Sequence, residues 1–176
     1  MMEIWDVYDQ DRALVHKTMR RGDPFESGAY HLVVHLCIFN AAGELLIQQR
    51  QPFKSGWSGM WDVTVGGSTV SGETSHSAAE REAFEELGYK IDLAHVRPSL
   101  TVNFENGFDD FYLVEDDVAI SGLKLQYEEV RQVKWAPKSD IFSMIDSQEF
   151  IPYHKSLIEL LFDMRKQTGA HRSEKR

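Results

Sequence analysis

The chain has one cysteine, Cys37, so it forms no internal disulfide. That usage fits a reducing compartment. Its first residues, MMEIWDVYDQDR, lack the basic start and long apolar stretch of a signal peptide. No stretch approaches the roughly 18 apolar residues that a membrane span needs. A soluble, cytoplasmic protein without a membrane partner is therefore expected. Positive charge is scarce: 19 Lys and Arg against 28 Asp and Glu give a formal charge of -9. This balance argues against a general nucleic-acid partner, which would need a basic face. It leaves room for a phosphorylated small molecule, because a metal ion can bring one to an acidic site. Internal repeats, linkers and low-complexity segments are also missing.

What is present is ordinary globular composition, 176 residues with 42% hydrophobic and 27% charged, enough for one domain with a proper core. We expect that domain over residues 1–167 and a polar tail over 168–176. Alternating or β-branched runs predict strands at residues 4–8, 13–19, 30–39, 44–50, 61–65, 100–104, 111–114 and 130–135. Asn40-Ala41-Ala42-Gly43 supplies turn chemistry for a hairpin between the third and fourth. A helix is predicted from Thr74 or Ser75, either able to cap it, to Gly88, with Ala79, Ala83 and Leu87 as its apolar stripe. Amphipathic patterns predict two more helices, at residues 138–145 and 153–166, the second turning Leu157, Leu160 and Leu161 inward. The mixture indicates an α/β domain, a mixed β-sheet with helices against it.

The richest segment is GSTVSGETSHSAAEREAFEELGY, from Gly67 to Tyr89. Glu82, Glu85 and Glu86 fall at i, i+3 and i+4 of the predicted helix, on one face within one turn. Like charges at that spacing repel unless a cation lies between them. Oxygen-only ligands favour a hard ion, Mg2+ or Mn2+.

This segment resembles the signature of the Nudix hydrolase family, which is met here by Gly67, Glu73, Arg81, Glu82, Ala83, Glu85, Glu86 and Gly88. Only Tyr89 departs, an aromatic where an aliphatic residue is usual, and that position concerns packing. The resemblance implies a Nudix-type α/β/α sandwich and a divalent metal held by Glu82, Glu85 and Glu86, with the Gly67 backbone beside it. It also implies an Arg81–Glu73 ion pair that ties loop to helix. The implied reaction is hydrolysis of a diphosphate linkage in a nucleoside diphosphate derivative or related organic diphosphate. Glu85, Glu86, Arg81 and Glu73 form the implied catalytic set. A homodimer is common for such domains.

A second resemblance, to the isopentenyl-diphosphate isomerase branch, runs through residues 30–40, Gln49-Arg50, Lys54 and Gly59-Met60-Trp61. It makes Arg50 and Lys54 candidate diphosphate clamps. The isomerase needs a cysteine and a histidine where this chain has Gly66 and Ser68, and Gly66 cannot transfer a proton. Hydrolysis is therefore the expected reaction, with isomerase chemistry and a non-catalytic Nudix-fold ligand sensor as alternatives. Candidates for a base outside the motif are Glu128, Glu129 and Asp110, beside Asp109, and Glu85 itself could activate the water. His31 and His35 read as sheet histidines. Packing is expected for at least half of Phe53, Trp57, Trp61 and Phe104.

Overall fold

In the computed structural model, which describes residues 3–167 and 169–171, the organising strand is β3 (His31–Phe39). Its sequence, HLVVHLCIF, is buried along nearly its whole length, as befits a strand covered on both faces. On one side it pairs in parallel with β8 (Gly107–Glu115), from His31 opposite Gly107 to Phe39 opposite Glu115. On the other side it pairs antiparallel with β6 (Val65–Ser68), His35 facing Gly66 and Val34 facing Gly67. Beyond β8 lies β7 (Leu100–Phe104). A second wing of the sheet consists of β4 (Leu45–Arg50) flanked by β5 (Trp61–Asp62) and β9 (Val130–Ala136).

Because neighbouring residues of β3 point to opposite faces, the strand feeds two cores. Cys37 and Phe39 meet Ile141 and Met144 of α2 (Lys138–Asp146) and Ile158, Leu161 and Phe162 of α3 (Lys155–Met164). Val34, Leu36 and Ile38 meet Ala78, Ala79, Ala83 and Leu87 of α1 (Ser75–Leu87). The result is a mixed sheet between α1 on one face and α2 with α3 on the other, an α/β/α sandwich. A separate hairpin, β1 (Ile4–Tyr8) and β2 (Leu14–Arg20), meets the chain just ahead of β3 through a Tyr8–Tyr30 bridge. Among the described residues no helix is long and apolar enough to cross a membrane.

Four expectations are corrected. The 61–65 strand is two pieces. Asp62 Oδ1 accepts the Val63 N–H, and Thr64 Oγ1 accepts from Ile38 and donates to Leu46 O. These side-chain bonds replace ladder bonds while the chain switches from pairing β4 to pairing β3. The β3–β4 hairpin splays after a single pair, Phe39–Leu45, for the same reason: its two strands belong to different wings. β8 begins at Gly107, four residues earlier than expected, because Asp109 and Asp110 disguise a strand end whose charges are partnered in the fold. In α3, Ile158 takes the inward place expected for Leu160, which is exposed. The expected polar tail falls on Thr168 and residues 172–176, outside the described residues, apart from residues 169–171, which lie in bends.

Candidate active site

The site is built where β6 runs into α1. Thr74 caps the helix: its hydroxyl accepts the Ser77 N–H, and Ser77 Oγ accepts the Thr74 N–H in return. Gly88, at φ 65°, closes it in a left-handed turn with its N–H on Phe84 O. Between these caps the small residues Ala78, Ala79 and Ala83 let α1 lie close on the sheet. That approach carries the acids inward to different depths. Glu86 is only 4% exposed and accepts a 2.9 Å hydrogen bond from Gln48 Nε2. Glu82 is largely buried, and the Glu85 side chain is 50% exposed at the rim.

Gly67 faces this helix. A Cβ there would lie 2.1 Å from Glu82 Oε1, so the missing side chain is the space that Glu82 fills. Arg81 binds Glu73 through Nε at 2.6 Å and Nη2 at 3.0 Å, a bidentate clamp that also reaches Ser68 O. Its Nη1 lies 2.9 Å from Glu82 and 3.0 Å from Glu85. Burial opposes the Arg81 charge, yet these carboxylates hold its pKa above the ordinary value. Burial pushes Glu82 up to about 7 despite Arg81. Burial, with Glu82 nearby, raises Glu86 well above the usual carboxylate range. Two adjacent buried carboxylates short of positive charge, with oxygen as the only donor, fit a hard divalent cation. Among the described residues no three His, Cys, Asp or Glu side chains already converge as a metal cage. Among the described residues, Arg81 is the cation paired with Glu82 and Glu85.

The carboxylates open into a cleft of about 490 Å3. Both expected clamps line it. Arg50 Nε donates to Gly56 O at 3.1 Å, and Lys54 Nζ meets Glu129 at 2.5 Å. The three base candidates outside the motif separate cleanly. Glu129 lines the cleft, Glu128 is exposed and away from its lining, and Asp110 is fully buried elsewhere, bonded to Arg12, Ser75 and Thr101. Its neighbour Asp109 faces the cleft, as the alternation of β8 requires. Of the aromatics, Trp61 is core, Phe53 is exposed, and Trp57 and Phe104 stand at the cleft. Among the unforeseen lining groups, which also include Glu3, Arg21 and Gln126, are Asp62 and Tyr153, joined by a 2.9 Å hydrogen bond. An acid inside the short apolar run Trp61-Asp62-Val63 was the one sequence signal for them. His31 stays outside the cleft, stacked on Trp5, whereas His35 lines it.

The NUDIX domain pattern matches residues 29–161 of this chain. The chain belongs to the Nudix family. An uncharacterized Nudix hydrolase of Listeria innocua is 46% identical over 170 residues, covering 97% of this chain and 99% of that protein. The isopentenyl-diphosphate Delta-isomerase of Salmonella heidelberg is 31% identical over 123 residues, 65% of this chain and 66% of the isomerase. Among solved structures, a Deinococcus radiodurans protein superposes with a TM-score of 0.72 at 28% identity, covering 90% of this chain and 97% of that one. The protein is a Nudix hydrolase, with the general pyrophosphohydrolase activity of that family. Members of the family generally need a divalent metal, which suits the acids gathered on α1.

Proposed function

We propose that this Nudix hydrolase cleaves the diphosphate linkage of a nucleoside diphosphate derivative or related organic diphosphate with water, using Mg2+ or Mn2+. The observation that carries the reading is the pair of buried carboxylates, Glu82 and Glu86, set against the bare backbone of Gly67. Glu82, Glu86 and, nearer the rim, Glu85 would hold the ion with the Gly67 backbone beside them. A divalent ion supplies Lewis acidity there and lowers the pKa of water. The chain's own groups do the positioning. Gln48 fixes Glu86, and Arg81 locks the loop to the helix through Glu73. Arg50 and Lys54 face the diphosphate, Lys54 exchanging its Glu129 partner for phosphate oxygen. Glu129 and Glu85, which line the cleft, would accept a proton from the attacking water.

The isomerase alternative finds no proton-transferring side chain at Gly66. Cys37 is fully buried in the core and does not line the cleft, and burial pushes its thiol pKa up. The test is a screen with Mg2+ against ADP-ribose, nucleoside diphosphate sugars, dinucleoside polyphosphates, oxidised nucleotides and prenyl diphosphates. We expect release of a monophosphate or phosphate, with Glu86→Gln lowering kcat by at least 100-fold. Double-bond migration in isopentenyl diphosphate without hydrolysis would overturn the reading. Tight binding with no turnover would favour the ligand sensor instead.

A further inference from the structure

The cleft does not end at the carboxylate helix. Gly66 and Gly67 are successive residues of β6, so their absent side chains would point to opposite faces of the sheet. At Gly67 the missing Cβ leaves room for Glu82. At Gly66 a Cβ would lie 2.8 Å from His35 Nδ1. A strand bare on both faces lets the cleft pass over β6 and continue onto the α2/α3 face, where His35, Asp62, Asp109 and Tyr153 line it.

This second half holds polar groups that the fold leaves unfinished. His35 is 9% exposed and stacks on Phe111, 4.6 Å between ring centres. Its Nε2 lies 3.0 Å from Asp109 Oδ1, and its Nδ1 has no partner. Asp62 is 5% exposed. Its Oδ1 accepts from Val63 N–H and Tyr153 O–H, and its Oδ2 has no hydrogen bond among the described residues. Asp109 Oδ1 faces His35 Nε2 as a 3.0 Å ion-pair contact and meets no well-aligned hydrogen-bond donor among the described residues, and the carboxylate stays partly open to the cleft. Hydrolysis as described uses none of these groups.

Their chemistry selects an occupant. Carboxylate oxygens only accept hydrogen bonds, so a partner that satisfies them must donate. A hydrocarbon chain packed there would seal them from water and leave each polar group unmet, a cost greater for a charged group than for a neutral one. A site built to hydrogen-bond a hydroxyl rejects analogues that lack it far more strongly than an apolar pocket rejects an added methylene.

We infer that Asp62 and Asp109 form a recognition subsite that accepts hydrogen bonds from hydroxyl or amino groups on the organic part of the diphosphate, with His35 as the positioning residue that aims Asp109. The subsite therefore favours hydroxyl-rich diphosphates and disfavours hydrocarbon ones. It rests on the hydrolase reading for the placement of the diphosphate, and it decides between the two kinds of organic group that reading allows.

The experiment compares kcat/KM for ADP-ribose and UDP-glucose with that for geranyl diphosphate, in the wild type and in Asp62→Asn, Asp109→Asn and His35→Phe. The wild type should prefer the better hydroxylated probe by at least 100-fold. Asp109→Asn and Asp62→Asn should each lower that preference at least tenfold, chiefly through KM. His35→Phe keeps a ring against Phe111 and cannot hold Asp109, so it should lower the same ratio. A merely structural role would depress both rates together and leave the ratio unchanged, which would overturn the inference. Faster wild-type hydrolysis of geranyl diphosphate would also overturn it while leaving the hydrolase reading intact. If neither kind of probe is hydrolysed, the hydrolase reading fails, and calorimetric binding of the same probes in Ca2+ decides the subsite. A preference for the hydroxylated probes that Asp109→Asn removes supports it, and equal or reversed affinity sinks it.

Discussion

His31 gives the fold a pH dependence from outside the cleft. It lies between Trp5 and Phe25, ring centres 4.4 and 5.2 Å away, with Nδ1 unpartnered. Burial lowers its pKa from 6.5 to about 4, against a pull upward from Asp109. An unfolded histidine gains its proton near pH 6.5, and the folded one does so only near pH 4. The contribution is therefore fully present above pH 6.5 and is lost as pH falls towards 4, by roughly 3 kcal/mol. His31→Phe keeps an aromatic stack and removes the titration. Urea unfolding at pH 7 and pH 4.5 should show the wild type losing more stability than the variant. Equal losses would mean that the imidazole is free to protonate in the fold.

In the proposed site the relation of strand β6 to helix α1 would set the metal-binding geometry, and Gly67 tests it. A Cβ at that position meets Glu82 Oε1 at 2.1 Å and its carboxyl carbon at 2.2 Å, so Gly67→Ala forces the carboxylate away from the loop. Outer contacts that orient metal ligands are worth about 10–100-fold in affinity or activity. Gly67→Ala should lower activity by that order and shift the Mg2+ titration to higher concentration. An unchanged titration would remove Glu82 from the metal set. Helix α1 was legible in the sequence because its cap, its alanine stripe and its closing glycine are local signals that agree. The break after Asp62 was not legible. It arises because Thr64 bonds two strands distant in sequence, β3 and β4, and no local pattern encodes such a contact. The same limit applied to the acids outside the motif. The sequence could gather Glu128, Glu129, Asp109 and Asp110 as candidates, but only the register of β8 on β3 separates Asp109 from Asp110.

At the scale of the whole molecule, the N-terminal hairpin precedes the matched residues 29–161 and still braces the site. Asp6 of β1 accepts from Ser71 Oγ and Gly72 N–H, in the loop ahead of α1. Arg12, in the hairpin turn, donates to buried Asp110 of β8, which also accepts from Ser75 at the start of α1 and from Thr101 of β7. One carboxylate thus joins hairpin, α1 and two strands. Asp110→Asn keeps the shape and removes the charge that Arg12 pairs with. Asp110 is buried while Arg12 is partly exposed, and losing hydrogen bonds to a buried charged group costs up to about 3 kcal/mol. For a chain of this size that corresponds to a fall in Tm of roughly 6–12 °C. A general base would behave differently, since its loss lowers kcat by about 10²–10⁴ with little effect on unfolding. We therefore expect Asp110→Asn to unfold well below the wild type and, assayed cold where it is folded, to keep kcat within about threefold, while Glu129→Gln does the reverse. A hundredfold loss of kcat in folded Asp110→Asn would make that buried carboxylate part of the chemistry and not of the frame.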